Sequence, residues 1–385
     1  MTNLFLDRPA STPAMLEVFS DEAMLRAALR FEAALALAQA DTGLIDMAAA
    51  TAIADGCEIL PNIADLAEQA AHAGTLAIPL VKLLRARIAA SAGDAVAVLV
   101  HRGATSQDLA DTTLMMQARE GAALIEAEAA RLTAALAALA RTHAATPMLG
   151  RTLLQGALPI TFGLKVCGWL QGIDATARRF ERETAAVRLQ FGGAAGTLAG
   201  LDGKADAITH ALAKRLGLRV AVSPWHTCRE GVAGLGAALA LLTGAAGKIA
   251  LDIALLAQNE VAEAFEPRVA GRGGSSAMAH KRNPTGCQVA LSAAARTPHL
   301  AATLIAGLPQ AHERALGEWQ AEAPALADLF RMTHGALSTM AAVIEGLEVD
   351  VSRMAANLAA ADVGTDAGES QALVAAVLAD FSKEP

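Results

Sequence analysis

The stretch SQDLADTTLMMQAREGAALIEAEAARLTAALAALAR, residues 106–141, contains no proline and only one glycine, Gly121. Its apolar residues recur every three or four positions, which places them on one face of an α-helix. A single helix over this range would be about 50 Å long. A helix of this length cannot bury itself in one small globule, so the stretch predicts a multi-helix bundle that packs against copies of itself.

The rest of the chain continues this pattern. Further long helices are predicted over 162–189, 230–261 and 285–308, the last with a bend at Pro298. Shorter helices fill the N-terminal part, where Ser20 is a predicted helix start and Gly43 a predicted helix end. We therefore predict an all-α fold in three parts: an N-terminal helical domain over 1–100, a central long-helix bundle over 101–345 and a short C-terminal helical element over 346–385.

The composition excludes several classes of protein. Hydrophobic residues make up 54% of the 385, aromatic residues only 3%, and tyrosine is absent, which disfavours a large β-sheet. A net charge of −8 disfavours a nucleic-acid partner. The four cysteines contain no CxxC pair, which disfavours a zinc site and indicates a reducing, cytoplasmic environment. The longest uncharged apolar stretch, 231–247, is too short for a predicted membrane span.

One loop differs from its helical surroundings. GRGGSSAMAHKRNP, residues 271–284, combines flexible glycines with two serines and a His-Lys-Arg triplet. It matches neither a phosphate-binding P-loop nor a dinucleotide-binding turn, so a simple glycine-rich connector is one interpretation. The other is a mobile cationic loop, in which Lys281 and Asn283 bind carboxylates and Ser275 or Ser276 transfers a proton.

GSSAMAHKRNP, residues 274–284, resembles the signature loop of the fumarase/aspartase superfamily. HRGATSQD (101–108) and GRTLLQGALPITFG (150–163) resemble its other two conserved blocks. The resemblance covers nearly the whole chain. It implies a helical fold, a homotetramer with active sites shared between subunits, and cofactor-free and metal-free addition or elimination beside a carboxylate of a small polycarboxylate substrate.

The resemblance also implies roles for individual residues. Ser275 would be the catalytic base, with Ser276 as the alternative, and Lys281 would stabilise an enolate-like intermediate. Substrate-binding roles fall on His101, Thr105, Ser106, Gln107, Arg151, Thr152, Gln155 and Asn283. Two of these residues have structural alternatives: His101 could cap the helix that begins at 106, and Gln155 could tie down its own loop. Ser106 is predicted to be the N-cap of that helix as well as a ligand group.

Two positions depart from the superfamily pattern. Many members have histidine as a general acid where this chain has Leu153, and Ala279 replaces a proline of the loop. A carboxylate has a pKa of about 4 and attacks or leaves without protonation, so a reaction of this kind needs no acid at 153. Such chemistry belongs to the 3-carboxy-cis,cis-muconate cycloisomerase branch of the superfamily.

Two local segments resemble the same branch. They are SPWHTCRE (223–230) and AHERALGEWQAE (311–322), which add His226 and Arg314 to the predicted substrate-binding residues. One alternative is an adenylosuccinate-lyase-like enzyme, because its signature loop is also similar. The other alternative, of a different class, is a non-catalytic helical scaffold derived from the superfamily.

Overall fold

The computed structural model describes residues 4–274, 278 and 281–382. Helices and strands alternate with short loops and two single-turn 3-10 helices, Arg8–Ala10 and Trp319–Ala321. The α-helices are α1 Leu4–Asp7, α2 Pro13–Val18, α3 Asp21–Asp41, α4 Met47–Cys57, α5 Ile63–Ala73, α6 Ala77–Ala92, α7 Asp94–Ala97, α8 Ser106–Thr142, α9 Phe162–Ala185, α10 Ala205–Leu216, α11 Glu230–Leu256, α12 Thr285–Ala306, α13 Glu322–Glu345, α14 Val351–Ala360 and α15 Ser370–Phe381. The strands are β1 Pro147–Thr152, β2 Gln155–Thr161, β3 Ala264–Phe265 and β4 Glu348–Val349.

Five long helices form the central bundle. Helix α8 packs against α9 and α13, while α11 packs against α9, α12 and α13. Alanine and leucine side chains fill the space between them, and both residues are strong helix formers. The all-α prediction is confirmed, and α8 ends one residue beyond its predicted limit. The other three long helices begin as predicted but end earlier than predicted.

The N-terminal helices lie on one flank of this bundle. Helix α3 contacts α4, α8 and α10, and α6 contacts α4 and α5. The hydroxyl of Ser20 accepts a hydrogen bond from the backbone N–H of Ala23 at 3.1 Å, so the predicted start of α3 is confirmed. Gly43 follows the end of α3 with φ of 68°, a left-handed conformation that glycine adopts without strain.

The segment 150–163 contains a β-hairpin, whereas the sequence analysis places Gln155 in a loop. Strands β1 and β2 form an antiparallel hairpin in which Thr152 pairs with Gln155 across a two-residue turn. The turn residues are Leu153 and Leu154, with φ of 50° and 64°. Sequence patterns identify such turns by asparagine, aspartate or glycine, and two leucines give no such signal.

The C-terminal element is attached to the bundle at several places. Strand β4 pairs with β3, helix α14 packs against β1, and α15 packs against α9. Helix α11 is long and apolar enough to cross a membrane by length and composition alone. However, 56% of its most apolar window is buried inside the protein, as in the core helix of a bundle.

Candidate active site

His101 stands at the start of the first predicted block and pairs with helix α3. Its Nδ1 lies 2.6 Å from Oε1 of Glu32, a carboxylate with 1% of its side chain exposed. Burial alone would lower the pKa of His101, but the charge and hydrogen bond of Glu32 outweigh it and raise this pKa above its ordinary value. The side chain of His101 therefore pairs with α3 instead of capping α8.

Thr105 and Ser106 lie at the beginning of α8. Thr105 is the N-cap, because its backbone is still extended while Ser106 already has helical geometry. The prediction of Ser106 as N-cap is therefore wrong by one residue. Ser106 instead lines a cavity that it shares with His101.

Asp108 connects this block to two distant loops, although the sequence analysis did not identify it. Its carboxylate is fully buried and accepts hydrogen bonds from the backbone N–H groups of Gly192 at 3.0 Å and Gly193 at 2.8 Å. The same carboxylate lies 2.7 Å from Nε2 of His226. The Nε2 of Gln107 donates to the carbonyl of His226 at 2.9 Å. A carboxylate at the third helical position, typical of a capping box, was the available signal for Asp108.

Arg314 reaches the same place from the loop before α13. Its guanidinium donates to the carbonyls of Gly193 at 3.5 Å and Ala194 at 3.0 Å. Six predicted site residues therefore gather at this end of the bundle. They are His101, Thr105, Ser106, Gln107, His226 and Arg314.

Arg229 connects helices α8 and α13 next to these residues. It is 1% exposed and forms ion pairs with Asp111 at 2.7 Å and with Glu322. The centre of its guanidinium also lies 4.7 Å from the centre of the Trp225 ring. Burial raises the pKa of Glu322 above its ordinary value, although Arg229 counteracts this effect. Two buried carboxylates thus depend on one arginine for compensation.

The second block lies in the β1–β2 hairpin. Arg151 forms a bidentate ion pair with the buried Glu263, with both N–O distances at 2.9 Å. Asn357 donates to the same carboxylate at 2.8 Å, which ties the hairpin to α14. Arg151 is therefore engaged within its own chain, and its predicted contact with substrate stays a prediction. Thr152 and Gln155 are exposed beside the turn, and the side chain of Gln155 makes no hydrogen bond within the part of the chain that the structure describes.

The hairpin turn presents two leucines to solvent. Leu153 is 97% exposed and Leu154 is 76% exposed. Both have left-handed backbone conformations. Residues other than glycine, asparagine and aspartate are strained in this conformation by about 1 kcal/mol. An apolar tip that is both exposed and strained indicates a functional constraint.

The described residues of the signature loop lie near the C-terminal end of α11. Lys281 and Asn283 line two neighbouring cavities of about 130 and 560 Å³. The carboxylate of Glu266 accepts the backbone N–H groups of Gly286 at 3.0 Å and Cys287 at 2.7 Å, which fixes the start of α12 beside the loop. The predicted proton-transfer residues, Ser275 and Ser276, lie outside the described residues.

Known proteins are similar to this chain in both sequence and fold. Residues 8–298 match the sequence model of a lyase family. The chain belongs to the fumarase/aspartase superfamily. A 3-carboxy-cis,cis-muconate cycloisomerase from Bradyrhizobium diazoefficiens is 46% identical over 350 residues, which are 90% of this chain and 77% of the relative.

Two further superfamily members bear on the function. A crystal structure of the 3-carboxy-cis,cis-muconate lactonizing enzyme from Pseudomonas putida superposes with a TM-score of 0.87 at 39% identity, covering 99% of this chain and 89% of that one. A nitrosuccinate lyase from Streptomyces davaonensis is 44% identical over 359 residues, which are 91% of this chain and 75% of the relative.

The three superfamily blocks lie at two opposite ends of the helical bundle. Helix α8 has 37 residues and is about 55 Å long, and it separates the first block at its start from the hairpin beyond its end. Helix α11 has 27 residues and is about 40 Å long, and it separates the Arg229 region from the signature loop. A small substrate cannot contact both groups of residues within one chain.

Proposed function

We propose that this protein is a cycloisomerase that closes 3-carboxy-cis,cis-muconate to 4-carboxymuconolactone, a step of protocatechuate breakdown through β-ketoadipate. The observation that carries this proposal is the 46% identity to a cycloisomerase over 90% of the chain. The similarity to the lactonizing enzyme in three dimensions supports it further.

Leu153 supplies the chemical reason for this assignment. A leucine cannot donate a proton, so the reaction must proceed without an acid at the hairpin tip. In lactonisation the attacking group is a carboxylate of the substrate, which is a weak base and needs no proton donor. Elimination of hydroxide or an amine, as in an adenylosuccinate-lyase-like reaction, would benefit from the missing acid.

The mechanism follows from the charges of the loop. A substrate carboxylate attacks the conjugated diene and forms a C–O bond, while negative charge moves to the carboxylate at the far end of the double bond. Lys281 and Asn283 stabilise this charge in the manner of an oxyanion hole. Ser275, or Ser276 beside it, delivers a proton to carbon and recovers one from solvent. The trianionic substrate and one proton thus become a dianionic lactone.

We infer further that the protein is a cytoplasmic homotetramer whose active sites combine different chains. The separation of the blocks along α8 and α11 supports this arrangement. Leu241 and Leu251 of α11 are 49% and 47% exposed. They give this helix exposed apolar surface that suits association with another chain. The hairpin with Leu153 and the loop with Lys281 would then reach sites that contain His101 of other copies.

A direct assay tests the activity. The purified protein is mixed with 3-carboxy-cis,cis-muconate in the presence of EDTA, and the ultraviolet absorbance of the diene is followed. We expect the absorbance to fall and one proton to be taken up per molecule of lactone. A stable absorbance at high protein concentration would contradict the proposed function. Ser275→Ala and Lys281→Met variants should each lose most of the activity.

Elimination of nitrite from nitrosuccinate is a second candidate, favoured by the 44% identity to a nitrosuccinate lyase. Nitrite is also a weakly basic leaving group, so Leu153 is compatible with both reactions. Parallel assays with the two substrates separate the candidates. Turnover of nitrosuccinate alone would replace the cycloisomerase proposal.

Sharing of sites between chains has its own test. His101→Ala and Lys281→Met variants are purified separately, dissociated, mixed in equal amounts and reassembled. If each site takes these residues from different chains, about a quarter of the sites in random mixtures are intact, and activity returns to about a quarter of the native level. If both residues come from one chain, mixing restores no activity.

A further inference from the structure

A cavity of about 400 Å³ lies between helix α6 and the first block. Its apolar wall includes Ile78 and Val81 of α6. Its polar lining consists of His101 and Ser106 from the first block and of Lys82 and Arg85 from α6. The sequence analysis assigned no function to the two basic residues of α6.

Lys82 and Arg85 have no acidic partners among the described residues. They are three residues apart and therefore lie on the same face of α6, where like charges repel. Within the part of the chain that the structure describes, the side chain of Lys82 makes no hydrogen bond or ion pair. In the described part of the chain, the guanidinium of Arg85 donates only to the carbonyl of Val100, at 3.0 Å, which leaves its charge without an acidic partner there.

The neighbouring carboxylates do not cancel these two positive charges. Glu32, on helix α3, is already paired with His101 at 2.6 Å. Asp108 is fully buried and already lies 2.7 Å from His226. Arg85 is close enough to His101 to act on it electrostatically, which places the guanidinium on the side of the first block. The cavity thus combines an apolar wall with two uncompensated cations, a combination that suits an apolar ligand with an anionic group.

The proposed substrate has one anionic group that the superfamily blocks leave unassigned. The carboxylate at one end of the diene is the nucleophile, and the one at the other end receives negative charge at Lys281 and Asn283. The third carboxylate, attached at position 3, requires a separate cationic site. We propose that Lys82 and Arg85 form the subsite for the 3-carboxylate, with the diene against Ile78 and Val81. This inference rests on the proposed function.

Such a subsite would determine specificity more than rate. cis,cis-Muconate has the same diene and the same terminal carboxylates but lacks the group at position 3. Lys82 and Arg85 should therefore favour the tricarboxylate over this dicarboxylate. Nitrosuccinate also has only two carboxylates, so a 3-carboxylate subsite would distinguish the first candidate function from the second.

The test compares KM for the tricarboxylate with Ki for cis,cis-muconate as an inhibitor. Lys82→Met and Arg85→Met retain much of the side-chain length and remove the charge. We expect each to raise KM for 3-carboxy-cis,cis-muconate about 10- to 100-fold, the usual effect of losing a charged hydrogen bond. The Ki of cis,cis-muconate and kcat should change less than about threefold. Lys82→Arg keeps the positive charge, so it should retain most of the affinity for 3-carboxy-cis,cis-muconate.

Lys214→Met is the control, because Lys214 is an exposed lysine of α10 that does not line this cavity. Equal increases in KM and Ki would show a general charge effect and would overturn the subsite, as would unchanged values in both α6 variants. An inactive wild-type protein would overturn the proposed function and the subsite together. Thermal denaturation of each variant confirms that it is folded.

Discussion

Asp108 and Lys281 lie at opposite ends of the bundle and differ in how their charges are compensated. Around Asp108, carboxylates, a histidine and backbone N–H groups bind one another within the protein, and these groups are buried. Around the signature loop, Lys281 is exposed and its side chain has no hydrogen bond or ion pair among the described residues. The charge of Asp108 is compensated by buried groups of its own chain, whereas the charge of Lys281 has no partner among the described residues and is open to a ligand or another chain. Each of the following predictions tests this contrast.

The largest effect should come from breaking the buried ion pairs of Arg229. Arg229→Leu would leave Asp111 and Glu322 buried without compensation, so we expect the free energy of unfolding to fall by about 3–5 kcal/mol. Urea denaturation at one fixed protein concentration measures the change. Arg188→Leu is the control, because Arg188 also lies against Trp225, at 5.8 Å, but pairs with the exposed Glu230. It should cost under about 1 kcal/mol, and equal losses would contradict the contrast.

A smaller effect is expected where the open end is anchored. Glu266→Gln removes the charge that accepts the N–H groups of Gly286 and Cys287 at the start of α12, and we expect a loss of about 1–2 kcal/mol in unfolding free energy. Glu348→Gln, which affects the half-exposed pair with Arg282, should cost less than about 1 kcal/mol. Similar values for both variants would show that Glu266 does not anchor the loop.

The hairpin tip should show stability and activity changing in opposite directions. Replacing Leu153 by Asn and Leu154 by Gly gives a turn suited to left-handed backbone, so unfolding free energy should rise by about 1–2 kcal/mol. The same change removes two apolar side chains from the proposed shared site, and kcat/KM should fall about 10- to 100-fold. Leu158→Asn, at a 71% exposed strand position, should change neither quantity much. A stabilised variant with full activity would assign the leucines no role.

The smallest effect is a dependence of stability on pH. The raised pKa of His101 means that its pairing with Glu32 stabilises the protein fully below the unfolded value of about 6.5 and is lost as pH rises through the folded value. The difference in Tm between wild type and Glu32→Gln should therefore be larger at about pH 6 than in alkaline solution. Asp206→Asn, which removes the exposed partner of His210, should give no such trend. A difference independent of pH would contradict a charged His101.

The sequence predicted the parts that depend on local pattern. The start of α8 at Ser106 and its length follow from periodicity and from the absence of helix breakers, because neighbouring residues alone determine these features. The hairpin was missed because Leu153 and Leu154 are poor turn formers, and contacts elsewhere in the native protein must hold them in place.

The hydrogen-bond network around Asp108 could not be predicted for a different reason. Its partners Gly192 and His226 are 84 and 118 residues away along the chain, so only the three-dimensional arrangement brings them together. The roles of Lys281 and Asn283 followed from resemblance to the superfamily. The structure adds their surroundings, and their catalytic roles stay predictions.

If the active site is shared between chains as proposed, the length of α8 also makes catalysis depend on the protein concentration. A chain with its blocks about 55 Å apart can be completely folded and still lack a working site. Specific activity should then depend on dilution, falling steeply once the protein is too scarce to assemble, and recovering when it is concentrated again. For such an enzyme, the expression level in the cell sets both the number of active sites and the fraction of chains that form one.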